Sequence, residues 1–317
     1  MSGTPVMPRN RVVCKAGLMG LLPILLLAAI PAGATENGGS VFPVGVETVL
    51  TGMYPPPGRT MFAEFTVFYE ANELVNGQGQ SAAPEFKLRV FATAVKMTHT
   101  WNYKVLGGGY LNSSFALPIM EEQLHVAPGK FEKYSIGNLD LIPVAYVHHG
   151  AVAHWYCEAD IFMPGAAYAK SDVLNVGQHN VAIGPVCGIT ALPNHGKTEI
   201  STRNSYLLNG PDKDTNYHSG NEYFTEFNIA LAVSKKAALG FNGYIYQQTT
   251  DDRQNMASCN GGNRGRDFAI GPQLRINLPH GGFAFKYLRD TLVENKPKGN
   301  AFWFQIAVPF PAFEGRR

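Results

Sequence analysis

The chain has 317 residues, 45% of them hydrophobic and only 16% charged, which excludes a disordered, charge-rich polymer. Its 26 basic and 24 acidic side chains nearly cancel, which argues against a nucleic-acid partner. Glycine is abundant at 34 residues and aromatics make up 11%, a balance that suits strands and turns.

Residues 1–34 read as an export signal. Arg9, Arg11 and Lys15 precede an apolar run from Ala16 to Ile30, and Ala32–Ala34 offers small residues for cleavage. The run is shorter than the roughly 20 residues a spanning helix needs. Residues 35–57 show no clean period and end in the triplet Pro55–Pro57. They are expected to form an N-terminal periplasmic or plug segment ahead of a domain at 58–317.

From Thr60 onward the period is two. Met61, Ala63, Phe65, Val67 and Tyr69 point one way, and Phe62, Glu64, Thr66, Phe68 and Glu70 the other. The same alternation recurs around Glu85–Ala94, His154–Met163, Asp267–Leu278 and Phe302–Phe310. It predicts strands near 60–71, 85–98, 103–118, 138–149, 151–164, 180–192, 196–208, 219–234, 236–250, 265–279, 281–292 and 300–310.

These runs are longer than sandwich strands, about 5 or 6 residues, and match the about 9–11 residues of a tilted membrane strand. Connector length also alternates. "NELVNGQGQSAAP", "IMEEQLHVAPGKFEKYSIG", "GAAYAKSDVLNVGQH", "GPDKDTNYH", "DDRQNMASCNGGNRG" and "LVENKPKG" read as long outer loops. "THTWNY", "HHGA", "LPNHG", "SKKA" and "LPHGG" read as short turns. The expected fold is all-β, a transmembrane antiparallel barrel of about twelve strands in the bacterial outer membrane. Tyr69, Trp101, Tyr103, Tyr110, Trp155, Tyr223 and Trp303 are candidates for its interfacial girdles.

The polar faces nominate the lumen lining: Glu64, Lys87, Arg89, Glu158, Asp160, Glu226, Asn242, Gln248, Arg275 and Lys286, with the aromatics Phe91, Tyr156, Tyr244, Tyr246 and Trp303. Charges of both signs line a water-filled path or form a network that plugs it. Phe62 and Phe68 belong to the same expected face. Asp251 and Asp252 are adjacent, so a strand sends them to opposite sides, and they read as the start of an outer loop.

His218 and Ser219 are adjacent at a loop edge, a poor start for a lipid-hydrolysing triad, so no enzyme is expected. His148, His149 and His154 share a hairpin and read as a polar turn; no metal or cofactor is expected. Cys157 and Cys187 fall roughly opposite each other on lipid-facing positions, and whether they are bonded stays open.

Several segments together carry a resemblance: "KVLGGGYLNSSFALP", "FMPGAAY", "TNYHSGNEY", "GYIYQQTTDD", "RGRDFAIGPQL" and "NKPKGNAFWFQI". The chain resembles the outer-membrane family described as "putative MetA-pathway of phenol degradation", grouped with barrel channels for hydrophobic compounds. The resemblance implies a porin-like transporter for uptake of small hydrophobic or aromatic solutes, phenol-like in kind, set among outer-membrane lipids and lipopolysaccharide. The alternatives are a closed structural or adhesive barrel acting through its loops, and a lipid-modifying enzyme.

Overall fold

The computed structural model describes residues 39–127, 129–165 and 168–310. The expected export signal and the residues after Phe310 lie outside the described residues. Among the described residues sixteen strands follow one another: β1 (Thr60–Leu74), β2 (Lys87–Lys104), β3 (Tyr110–Val126), β4 (Gly129–Ile136), β5 (Leu139–His149), β6 (Ala153–Met163), β7 (Ala182–Ala191), β8 (Thr198–Asn209), β9 (Tyr217–His218), β10 (Glu222–Ala232), β11 (Ala237–Gln248), β12 (Arg253–Gln254), β13 (Ala257–Ser258), β14 (Arg266–Leu278), β15 (Gly281–Glu294) and β16 (Pro297–Phe310).

Every wall strand pairs antiparallel with its neighbours, and β1 pairs with β16 from Thr60↔Phe310 to Leu74↔Pro297. That last ladder closes the sheet. β4 and β5 both pair with β3, at Ile119–Val126 and Tyr110–Ala116, so they form one wall strand interrupted at Gly137–Asn138. The wall is therefore a closed twelve-stranded barrel. Closure leaves no unpaired edge, which a sheet spanning lipid requires.

Two expected loops are ladders instead. "IMEEQLHVAPGKFEKYSIG" is the β3–β4 hairpin, paired up to Val126↔Gly129. "LVENKPKG" folds into β15 and β16 around Asn295, which takes a positive φ of 54°. In the second, Leu292, Val293 and Glu294 pair with β14 and Pro297, Lys298 and Gly299 with β1, so the strands run further than turn composition suggested. The expected turn "THTWNY" (Thr98–Tyr103) lies wholly within β2, and the chain reverses at 105–109. Long connections remain at 75–86, 164–181, 210–221 and 249–265. β9, β12 and β13 tie the last two together.

The wall is apolar outside and polar inside. Ile229, Leu231, Leu239, Phe241, Ile245 and Phe302 are exposed, whereas Glu158, Asp160, Arg203, Glu226 and Lys286 are buried. This inverts the usual distribution for a protein in water. Trp101, Tyr103, Trp155 and Tyr223 stand on the outer surface as girdle candidates. Tyr69, Tyr110 and Trp303 pack inward.

Cys157 and Cys187 are register partners on β6 and β7, joined as a disulfide with Cα atoms 4.1 Å apart. Their strand positions alternate with the buried face, so the bond lies on the outer surface.

Candidate functional site: the barrel interior and the segment inside it

The stretch from Phe42 to Pro55 runs through the interior, and inward side chains from several strands hold its backbone. Glu226 on β10 accepts from the amides of Gly45 and Glu47 at 2.7 and 3.1 Å. Lys286 on β15 donates to the carbonyls of Gly45 and Val46 at 2.9 and 2.6 Å. Glu199 on β8 accepts from the Leu50 amide at 2.8 Å, and Thr190 on β7 from the Gly52 amide at 2.9 Å. A Cβ on Gly52 would stand 2.3 Å from the His154 carbonyl oxygen. Only glycine lets the segment lie this close to the wall.

The side chains of the segment join the wall as well. Glu47 pairs with Lys96 at 2.5 Å and with Arg203 at 3.2 Å. Arg203 also meets Asp160 at 2.6 Å and Glu226 at 3.5 Å, with its guanidinium 4.2 Å from the centre of the Phe42 ring. Tyr54 donates to Glu158 at 2.6 Å, Thr48 to Asn242 at 3.1 Å, and Thr51 meets the Tyr156 hydroxyl at 3.1 Å. Burial pushes the Glu47 carboxyl up, but the charges of Lys96 and Arg203 outweigh it and hold the group below its ordinary value. An enclosed charge network of this kind is tolerable only because each member has a partner.

Nearer the long-loop end, Tyr244 donates to Asp267 and Asp290 at 2.8 and 3.0 Å, and Tyr69 donates to Asp290 at 2.9 Å. Gln248 donates to Asp252 at 2.6 Å, and Asp252 also accepts from Tyr217 at 2.6 Å. Asp251 instead pairs with Arg264 at 2.7 Å. The adjacent acids take different partners within the loop that follows β11, and Asp252 is buried there as a loop anchor.

Of the expected lining, Tyr156, Glu158, Asp160, Glu226, Asn242, Tyr244, Tyr246, Gln248, Arg275, Lys286 and Trp303 face inward. Glu64, Lys87, Arg89 and Phe91 do not; all four lie on the outer surface of β1 and β2, as do Phe62 and Phe68. The inward residues there are Ala63, Phe65 and Val67, then Lys96, Thr98 and Thr100. Glu64 is satisfied outside by the hydroxyls of Thr66 and Thr93. Lys87 and Arg89 pair with Glu70 at 2.9 and 3.2 Å near the long-loop end. Both faces of these strands mix apolar and polar residues, so polarity did not identify the inner one.

Sequence reasoning missed Arg203, Glu199, Lys96 and Glu47. The alternation in "TEISTRNSYLLN" held the signal for two of them, since Glu199, Ser201, Arg203 and Ser205 share one face. The histidines do not converge. His149 and His154 meet inside at 3.1 Å, and His148 stacks on Trp155 outside. His218 is taken by the Asn209 carbonyl at 2.6 Å, and Ser219 is buried, away from the bilayer surface.

No curated protein matches the sequence. Among solved structures the fold is similar to the COG4313 outer membrane channel from Pseudomonas putida F1, at 14% identity and a TM-score of 0.71, covering 86% of this chain and 100% of that one. A Pseudomonas aeruginosa FadL homologue aligns at 9% identity and a TM-score of 0.39, covering 89% of this chain and 97% of that one. The model of one family matches residues 71–306, well over half of the chain. The match spans the wall from β1 to β16, and the chain belongs to the family described as "Putative MetA-pathway of phenol degradation".

Proposed function

We propose that the protein is a channel of the bacterial outer membrane that admits small hydrophobic or aromatic compounds, phenol-like in size and polarity. The N-terminal segment 35–57, described from residue 39, acts as its internal plug. The observation that carries the reading is an interior that sets aromatic rings (Tyr156, Tyr244, Tyr246, Trp303) beside hydrogen-bonding groups such as Asn242, Gln248 and Glu158. A ring-bearing solute with one hydroxyl suits such a lining. The family description, which names phenol degradation, supports the same solute class.

A second reading, a closed structural barrel, draws on the packing of the same interior. A cavity of about 60 Å³ lies between the segment and β1, β2 and β16, bordered by Glu47, Tyr54, Phe65 and Lys96. That is room for a few waters only. Uptake and conductance separate the two. Liposomes carrying the protein should take up phenol faster than empty liposomes, and a variant lacking residues 39–58 should conduct more than the full chain. Equal uptake with and without protein, together with no conductance from either form, rejects the channel.

A further inference from the structure

The outer surface of β15, β16, β1 and β2 carries a second feature that the interior does not use. Arg289, Asn300, Glu70 and Arg89 are direct cross-strand partners, one on each strand, near the long-loop end. The next row toward the membrane middle is Tyr287, Phe302, Phe68 and Phe91, again in register. The three phenylalanines are 56%, 41% and 51% exposed. Lys298 and Lys87 continue the polar row at its upper side, two residues beyond Asn300 and Arg89.

Charge in the polar row is unevenly satisfied. Glu70 already serves Lys87 and Arg89. Arg289 and Lys298 have no carboxylate within ion-pair distance among the described residues, although Glu73 is the register partner of Lys298. Four cations thus face two acids on a surface whose lower half is bare phenyl rings. Adjacent strands lie about 4.8 Å apart, so the patch is about 14 Å wide. An isolated sheet face in water would not keep three exposed rings beneath a cationic row; a lipid with a phosphorylated head and stacked acyl chains fits both halves.

We propose that this face is a docking site for the phosphorylated, acylated glucosamine disaccharide of lipopolysaccharide. Arg289 and Lys298 take a phosphate, and Phe302, Phe68 and Phe91 lie under the acyl chains. The assignment rests on the outer-membrane location proposed above and is independent of the permeant. Lipopolysaccharide is favoured over a glycerophospholipid because the cationic row lies at the end of the long connections, which in barrels of this kind face outward.

The test is native mass spectrometry of the detergent-folded full chain, titrated with bisphosphorylated lipid A, with dephosphorylated lipid A and with phosphatidylglycerol. The wild type should hold the bisphosphorylated form about tenfold more tightly than either of the others. The double variant Arg289→Ala/Lys298→Ala should lose that preference, whereas Lys235→Ala/Lys236→Ala, in the turn at the opposite end, should keep it. Arg289→Gln and Lys298→Gln singly serve if the double variant does not fold. Equal binding of all three lipids, or a preference that survives the loss of Arg289 and Lys298, overturns the site. Failure of the folded chain to insert into liposomes would instead overturn the outer-membrane location.

Discussion

Arg203 and Asp160 meet at 2.6 Å although β7 lies between the strands that carry them. The reach is possible because β7 turns small residues inward. Gly188 is the register partner of both Arg203 and Tyr156, and Gly184 that of Asp160. A Cβ on Gly188 would stand 2.3 Å from the Tyr156 ring. The glycines thus clear a path across the strand, and the guanidinium gathers Asp160, Glu226 and Glu47 around it.

Arg203→Met keeps most of the volume and removes the charge. Three carboxylates are then left facing one another in an enclosed space. Breaking a buried ion pair this way costs about 3–5 kcal/mol. The midpoint of heat-modifiable gel mobility should fall markedly, and Asp160→Asn added to the same chain should restore part of it. An unchanged midpoint would show that water enters freely and screens the network.

Among the described residues of the interior segment, Glu47 is the only acid, and it pairs with two wall cations, Lys96 and Arg203. Glu47→Ala should loosen residues 39–58 and raise single-channel conductance in planar bilayers while leaving the barrel heat-modifiable. Conductance equal to wild type would mean that the backbone contacts to Glu226 and Lys286 hold the segment without it.

The pH dependence follows from the same carboxyl. Its folded-state pKa lies below the ordinary 4.5 because Lys96 and Arg203 outweigh the effect of burial. A depressed carboxylate contributes stability that is present above the ordinary value and lost as pH falls through the folded one. The plug should stay seated through neutral and mildly acidic conditions, with conductance rising only below pH 4.5. Opening on the way down from neutrality, before that value, would contradict Glu47 as the latch.

Gly52→Leu tests the close approach of the segment to the wall. Any side chain at this position meets the His154 carbonyl and the Thr190 amide. The segment should be displaced there, giving higher conductance and faster phenol uptake with little change in the melting of the barrel. Wild-type transport in this variant would place the permeation path elsewhere.

Cys157→Ser/Cys187→Ser removes a bond between strands already paired over their length, closing a sequence separation of 30. A disulfide constrains the unfolded chain, with a typical effect of about 2–4 kcal/mol. The heat-modifiability midpoint should drop in the double variant. Reductant should lower it by at least a similar amount in the wild type.

The barrel was legible in the sequence because its two signals are local. Alternation from Thr60 to Phe310 marked all twelve wall strands, and turn composition marked most of their ends. The faces of β6, β10, β11 and β15 were legible too, since charged and amide side chains gather on one side of each and apolar ones on the other, with Gln247 and Arg289 as the exceptions near the long-loop end. β1 and β2 lack that contrast. Glu64 outside is satisfied by two threonines, and Phe65 inside packs on the buried cluster around Phe42 and Val46. Their inner face follows only from which neighbours they acquire.

What the amino-acid order determined by itself is the strand period, the strand count and the polarity of most inward faces, because these depend on residues two apart. What only the tertiary structure decided is which charges meet. Lys96 reaches Glu47 on the interior segment, and Arg203 reaches Asp160 across β7. Those distances depend on ring closure, on register between strands far apart in the chain, and on an N-terminal stretch that has no period of its own.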